Sequence, residues 1–234
     1  MTYGLIIAAG NQTRFDNEVP KALMQIGNRA LLDINIEVMS KYCDKVYVVV
    51  SNINQFKFLK YDRLVISSGL GCGDAVFKTL NNIHYKEGDK CYLMWGDAYN
   101  SKEVYEAIPL EDGCSIPCVY EESPYVQIGE DGRILFSKYG DRITSGYHDL
   151  SLFYFDIHYL NKYLVEFRNK IWYNNKYNHK HNDEMQFLDV FNETDAKYKI
   201  IPIDNYKAFC FNTVEEFNDM KERLLNEDKS SIKS

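Results

Sequence analysis

The chain reads as an α/β fold: a mostly parallel sheet flanked by helices, with an antiparallel extension. Three observations point there. Short runs at residues 5–9, 45–50 and 91–95, apolar except for Lys45, have the character of strands buried on both faces. Helical patterns separate them, one near residues 31–42 with Leu32, Ile36 and Met39 at helical spacing, another near 74–83. Beyond residue 114, strand-like segments at 114–120 and 126–128 lead into the strong turn signal Gly129-Glu130-Asp131-Gly132 and a further run at 133–137.

The alternation of strand and helix in the first part implies parallel strands joined by crossovers, with ligands gathering at the strands' carboxyl ends. Residues 63–66 give a short third strand, and residues 52–60 fit neither pattern. In the second part residues 148–155 alternate as one strand, and the antiparallel segments are placed to floor a second-substrate pocket. A helix follows near 157–167, then the Tyr- and Asn-rich stretch 172–182, a helical segment at 183–191 and strands at 198–203 and 208–211. The last helix spans 213–225, and Thr213 with Glu216 three positions on has the pattern of a capping box.

Length allows one large domain, residues 1–226, with a polar tail at 227–234. Lys and Arg number 27 against 34 Asp and Glu, a net charge of −7, which argues against a general nucleic-acid or anionic-membrane binder. No apolar stretch approaches membrane-spanning length and no secretory leader pattern opens the chain. The six cysteines, Cys43, Cys72, Cys91, Cys114, Cys118 and Cys210, form no CxxC pair, and several sit in apolar strand-like runs. A cytoplasmic, reduced protein without zinc is the expectation.

The chemistry concentrates at the N-terminus. The first strand stops at Ala8-Ala9-Gly10, where small side chains let a ligand lie against the backbone. The polar loop Asn11-Gln12-Thr13 then carries Arg14, and Lys21 follows a stiffening Pro20. Loop N–H groups and two cations at the end of a first strand make a polyphosphate cradle. It is neither a Walker loop nor GxGxxG, which disfavours a dinucleotide-dependent oxidoreductase.

LIIAAGNQTRF followed by PKALMQIGNRALLD resembles the signature of the nucleotidyltransferases that make sugar and polyol nucleotides. That resemblance implies a Rossmann-like, GT-A-like core whose nucleoside-triphosphate half covers about 1–110 and whose acceptor half covers about 111–212. It implies that Arg14 and Lys21 stabilise charge at the α-phosphate. The family's second loop glycine is Gln12 here, a position where a side chain could crowd the phosphates.

Three more segments match in order. GLGCGDAV resembles the base-reading loop, giving Gly71, Cys72 and Gly73 that role, with Ser68 just before it. YLMWGDAY resembles the strand ending in an Asp that ligates Mg²⁺, which falls on Asp97, and FNTVEEF puts Asn212 at a second metal-ligand position. Asn182-Asp183-Glu184 resembles an acceptor-contacting segment, so Asp183 and Glu184 are acceptor candidates with Tyr125, followed by Asp141 and His148. His179, His181 and Asp183 read as a solvated polar loop rather than a metal site, and nothing singles out Lys138 or Lys207.

The resemblance implies an enzyme that joins a nucleoside triphosphate to a phosphorylated choline, polyol or sugar, releasing pyrophosphate. The AAG loop and compact size favour CTP and a role in surface-polysaccharide, teichoic-acid or lipid-precursor synthesis. UTP or dTTP with a sugar 1-phosphate is the alternative. A non-catalytic nucleotide- or partner-binding protein is the reading of another class. The acceptor phosphate is already ionised, so no general base is needed, in keeping with the lack of a Ser-His-Asp or Cys-His pattern. A monomer or a homodimer is compatible with the pattern.

Overall fold

The computed structural model describes residues 1–10, 19–56, 64–66, 70–129, 131–179, 183–204 and 208–231. The chain opens with β1 (Thr2–Ala8), a short turn of helix at Lys21–Leu23, and the hairpin β2 (Gln25–Ile26) and β3 (Arg29–Ala30) leading into α1 (Leu31–Met39). Then come β4 (Lys45–Val50), β5 (Leu64–Ile66), α2 (Cys72–Asn82), β6 (Lys90–Trp95), β7 (Ala98–Asn100) and α3 (Lys102–Ala107). The second part holds β8 (Cys114–Glu121), β9 (Val126–Ile128), β10 (Ile134–Phe136), β11 (Gly146–Asp149) and β12 (Leu152–Asp156). It continues with α4 (Ile157–Ile171), β13 (Trp172–Tyr173), β14 (Lys176–Tyr177) and α5 (Asp189–Glu193), and ends with β15 (Lys199–Pro202), β16 (Ala208–Cys210) and α6 (Val214–Ser231).

Among the described residues, ten strands form one mixed sheet. Strands β5, β4, β1 and β6 are parallel neighbours in that order, and β12 pairs with β6 antiparallel. Strand β8 takes β12 and β11 antiparallel and β15 parallel, and β9 and β10 extend from β11. The parallel half follows from side chains buried on both faces. Leu5 and Ile7 join Val49, Leu93 and Phe153 beneath α2 and α4, whereas Ile6 joins Val48, Val50, Tyr92 and Met94 on the α1 and α3 side. A third cluster, with Leu31, Phe211, Phe217 and Met220, seats α6 against the β2–β3 hairpin.

The single strand expected at 148–155 is two. Asp149 pairs with Cys118 and Tyr154 with Ser115, so five residues on one strand pass three on the other. The extra residues bulge at Leu150-Ser151, where Ser151 takes φ 58° and donates its N–H to Asp149 Oδ1 at 2.9 Å. The helix expected at 183–191 is confined to α5, because the backbone of Met185 is bonded to the loop before α2 instead of to a helical turn. The solvated loop expected around His179 is also corrected. Hairpin β13–β14 turns the chain back over α4, so the His179 ring is 6% exposed and stands edge-on to Phe167 at 5.3 Å. Asp189 and Glu193 each lie 3.5 Å from one of its ring nitrogens. His181 and Lys207 lie outside the described residues. No helix among the described residues is long and apolar enough to cross a membrane.

Leu5 is fully buried between β4 and β6. Leu5→Ala is expected to cost about 2–5 kcal/mol of stability in urea unfolding, the range for a truncated core leucine. Asp149 is almost fully buried, and burial raises its carboxyl above the ordinary range, opposed by His148 and the Ser151 N–H. Its folded-state pKa exceeds its unfolded one, so its contribution is favourable at low pH and is lost as pH rises through the folded value. Asp149→Asn keeps an acceptor for Ser151. Its stability should match that of the unmodified protein toward about pH 4, the ordinary carboxylate value, and exceed it increasingly toward neutrality.

Candidate active site

Three distant stretches meet at one ammonium group. Pro20 fixes the approach of the Lys21–Leu23 turn, closed by the Leu23 N–H donating to Pro20 O at 2.7 Å. From it Lys21 Nζ reaches Asp97 Oδ2 at 3.1 Å and the carbonyl of Phe211 at 2.8 Å, and stands 5.2 Å from the Phe211 ring centre. Asp97 sits just past the carboxyl end of β6, beside the end of β1. The Gly96 N–H donates to Ile7 O at 2.9 Å, and a β-carbon on Gly96 would lie 3.1 Å from the Ala8 Cα. A side chain there would require the two strand ends to give by a few tenths of an ångström.

The ribbon of β7 and β16 brings the chain's far end to the same place. Cys210 is paired with Ala98, and the Phe211 N–H donates to Asp97 O at 3.3 Å, so Asn212 follows beside Asp97. Asn35 in α1 donates to Ala98 O at 2.7 Å and Asn100 to Leu150 O at 3.0 Å, tying the ribbon to α1 and the bulge. The capping box forms: Glu216 Oε2 accepts from the backbone of Asn212 and of Thr213, while Thr213 Oγ1 accepts from the Glu216 N–H at 3.2 Å. This leaves the Asn212 carboxamide without a hydrogen bond among the described residues.

Asp97 and Asn212 open onto a cavity of about 470 Å³ whose walls include Cys72, Trp95, Tyr125, Lys138, Gln186 and Phe187. Strands β9, β10 and β11 supply Val126, Phe136, His148 and Asp149, so the antiparallel extension does form its floor. His148 Nδ1 and Glu121 Oε2 stand 3.1 Å apart on this wall. Asp97 and Asn212, both on the wall of this cavity, offer hard oxygen donors. That set fits Mg²⁺, which takes one or two protein oxygens and completes its shell with phosphate and water.

The expected residues thus separate. Lys21, Asp97, Asn212, Cys72 and Tyr125 come together, and Gly71 and Gly73 flank Cys72 at the start of α2. Ala8 ends β1, Ala9 is buried behind it and Gly10 is exposed with open space where a side chain would point. Asn11, Gln12, Thr13, Arg14 and Ser68 lie outside the described residues. Asp183 and Glu184 do not line this cavity; Glu184 accepts from Gln186 Nε2 at 3.0 Å. Asp141 is a turn residue, accepting from the Phe136 N–H at 2.9 Å. Sequence reasoning named Lys138 without singling it out and passed over Glu121 and Gln186; their shared wall exists only once the sheet register is set.

Residues 4–109 match the model of the MobA-like NTP transferase domain. Over 99 residues the chain is 30% identical to the bifunctional protein GlmU of Buchnera aphidicola, and it spans 22% of that protein's length. The CTP:phosphocholine cytidylyltransferase of Streptococcus pneumoniae superposes with a TM-score of 0.69 at 16% identity, covering 95% of this chain and 99% of that one. The inositol-1-phosphate CTP transferase of T. maritima gives 0.68 at 13% identity, with 94% of each chain covered. A putative glucose-1-phosphate thymidylyltransferase of Bacillus anthracis gives 0.72 at 13%, covering 95% of this chain and 94% of that one. The segment from Gly4 to Pro109 therefore carries the MobA-like NTP transferase match, and nearly the whole chain has the nucleotidyltransferase fold.

Proposed function

We propose that this protein is a nucleotidyltransferase that transfers a nucleotidyl group, cytidylyl by preference, from a nucleoside triphosphate to a phosphorylated small molecule and releases pyrophosphate. The observation that carries this reading is the meeting of Lys21, Asp97 and Asn212 at the ends of β1 and β6, at the mouth of a cavity floored by the antiparallel strands. Both reactants are anions, so the main tasks are neutralising charge and aligning the acceptor oxygen with the α-phosphate. Lys21 is held by Asp97 and by a backbone carbonyl, which fixes its ammonium before substrate arrives and lowers the cost of reorganising it.

Asp97 and Asn212 would hold Mg²⁺, which when bound supplies charge neutralisation between the reacting phosphates. Arg14 would act on the phosphates beside Lys21, and the Ala8-Ala9-Gly10 end of β1 would accept the triphosphate against its backbone. The backbone of the Gly71-Cys72-Gly73 turn would contact the base. The choice of CTP rests on the AAG loop, with two cytidylyl-transferring proteins among the structural relatives as support. The acceptor would enter along the wall of Tyr125, Lys138 and His148, where four carboxylates, those of Asp97, Glu121, Asp149 and Glu216, disfavour a second anionic group.

The test is pyrophosphate release from CTP, UTP, GTP, ATP or dTTP with Mg²⁺ and a set of phosphorylated alcohols and sugars. One pair should turn over well above the rest, and no turnover with any pair contradicts the proposal. Lys21→Ala should lower kcat by about 10²–10³-fold, the range for a lost electrostatic donor to the transition state. Circular dichroism should show the fold retained. Unchanged kcat would remove Lys21 from the mechanism. Asp97→Asn should raise the Mg²⁺ concentration needed for half-maximal rate, and an unchanged Mg²⁺ dependence would remove Asp97 as a ligand.

A further inference from the structure

The loop before α2 and the stretch before α5 belong to different halves of the chain yet are bonded into one strap. The Met185 N–H donates to Leu70 O at 3.0 Å, and Met185 O accepts from the Gly73 N–H at 2.9 Å. A β-carbon on Gly71 would lie 2.4 Å from Met185 O and one on Gly73 2.9 Å, so both glycines are needed to admit this backbone. Between them, Cys72 Sγ lies 3.5 Å from Gln186 Oε1 as donor and accepts from the Phe187 N–H at 3.3 Å. Gln186 Nε2 donates to Glu184 Oε2 at 3.0 Å.

These contacts fix the carboxamide. A carboxylate only accepts, so the amino group of Gln186 must face Glu184 and its oxygen must face Cys72. The residue is 8% exposed and its remaining surface lies on the cavity wall, beside Cys72 and Phe187. One amide N–H and one oxygen lone pair are left over. A hydroxyl, which both donates and accepts, satisfies either of them, whereas a trimethylammonium group satisfies neither.

Resting on the nucleotidyltransferase reading, we infer that Gln186 is a specificity-determining residue that hydrogen-bonds a hydroxyl of a polyol- or sugar-phosphate acceptor, with Cys72 and Glu184 as its positioning residues. Glu184 then acts on the acceptor through Gln186 rather than by contact. Because Cys72 opens α2, the acceptor wall is held from the nucleotide half of the chain.

Initial rates of pyrophosphate release with CTP and Mg²⁺ test this on three acceptors: ribitol 5-phosphate, myo-inositol 1-phosphate and phosphocholine. The unmodified protein should prefer a hydroxylated acceptor. Gln186→Ala should raise that acceptor's KM about tenfold, as for one lost buried hydrogen bond, with the KM for CTP and the Tm little changed. Glu184→Ala should have a similar effect, and Glu184→Gln, whose amide oxygen still accepts, should restore the acceptor KM. A preference for phosphocholine, an unchanged acceptor KM in Gln186→Ala, or an equal rise in both KM values would each overturn the inference while leaving the nucleotidyltransferase reading intact.

No turnover by the unmodified protein, with these acceptors and the five nucleotides, would remove that reading and the acceptor role together. The positioning contact is judged apart from activity by N-ethylmaleimide labelling of Cys72, followed by peptide mapping. Gln186→Ala should speed labelling several-fold, and an unchanged rate means that Gln186 does not hold Cys72.

Discussion

The Lys21 ammonium is the junction on which the site depends. Residues 21, 97 and 211 are far apart in sequence, and each comes from a different kind of element: a helical turn, a strand end and the close of a ribbon. Lys21 is 13% exposed in its side chain and Asp97 30%, so their ion pair is shielded from the solvent that makes most surface pairs nearly worthless. The sheet supplies the framework for this junction. Parallel pairing of β1 with β6 sets the two strand ends side by side, and Gly96 lets them close against each other.

A second tie joins the two halves of the chain. Met185 is bonded on one side by Leu70, before α2, and on the other by Gly73 in the first turn of α2, and there is room for it only because residues 71 and 73 have no side chains. Gly71 also takes φ 104°, which a β-carbon would strain. The glycines matched to a base-reading loop by resemblance therefore have a structural duty as well. Burial raises the Cys72 thiol above its ordinary range, opposed by the Phe187 N–H and Lys138, so the thiol behaves as a neutral hydrogen-bonding group.

The sheet was legible in the sequence wherever a strand is buried on both faces. Residues 46–50 are an unbroken apolar run and, with Lys45 before them, form β4 with the limits the sequence pattern sets. Helix α6 was announced by Thr213 and Glu216, whose mutual bonds are local and need no tertiary context. Long-range constraints hid the rest. The bulge at Ser151 arises from register against β8, which hydrophobic alternation over 148–155 cannot report. Residues 183–188 carry a helical pattern, but the bonds of Met185 to another loop override it. His179 sits in a polar sequence and is buried because a hairpin folds it onto Phe167. At the site, single motifs marked Lys21 and Asp97, whereas the Gln186 wall is a product of packing and had no signal of its own.

The central claim is that this junction binds a nucleoside triphosphate with Mg²⁺. Thermal unfolding with each of CTP, UTP, GTP, ATP and dTTP plus Mg²⁺, for the unmodified protein and for Lys21→Ala, tests it without an acceptor. A ligand of the native state adds stability of RT ln(1 + [L]/Kd), so the Tm should rise with one nucleotide above the others, CTP foremost, and Lys21→Ala should lose most of that rise. No rise with any nucleotide, or an equal rise in Lys21→Ala, would contradict the account.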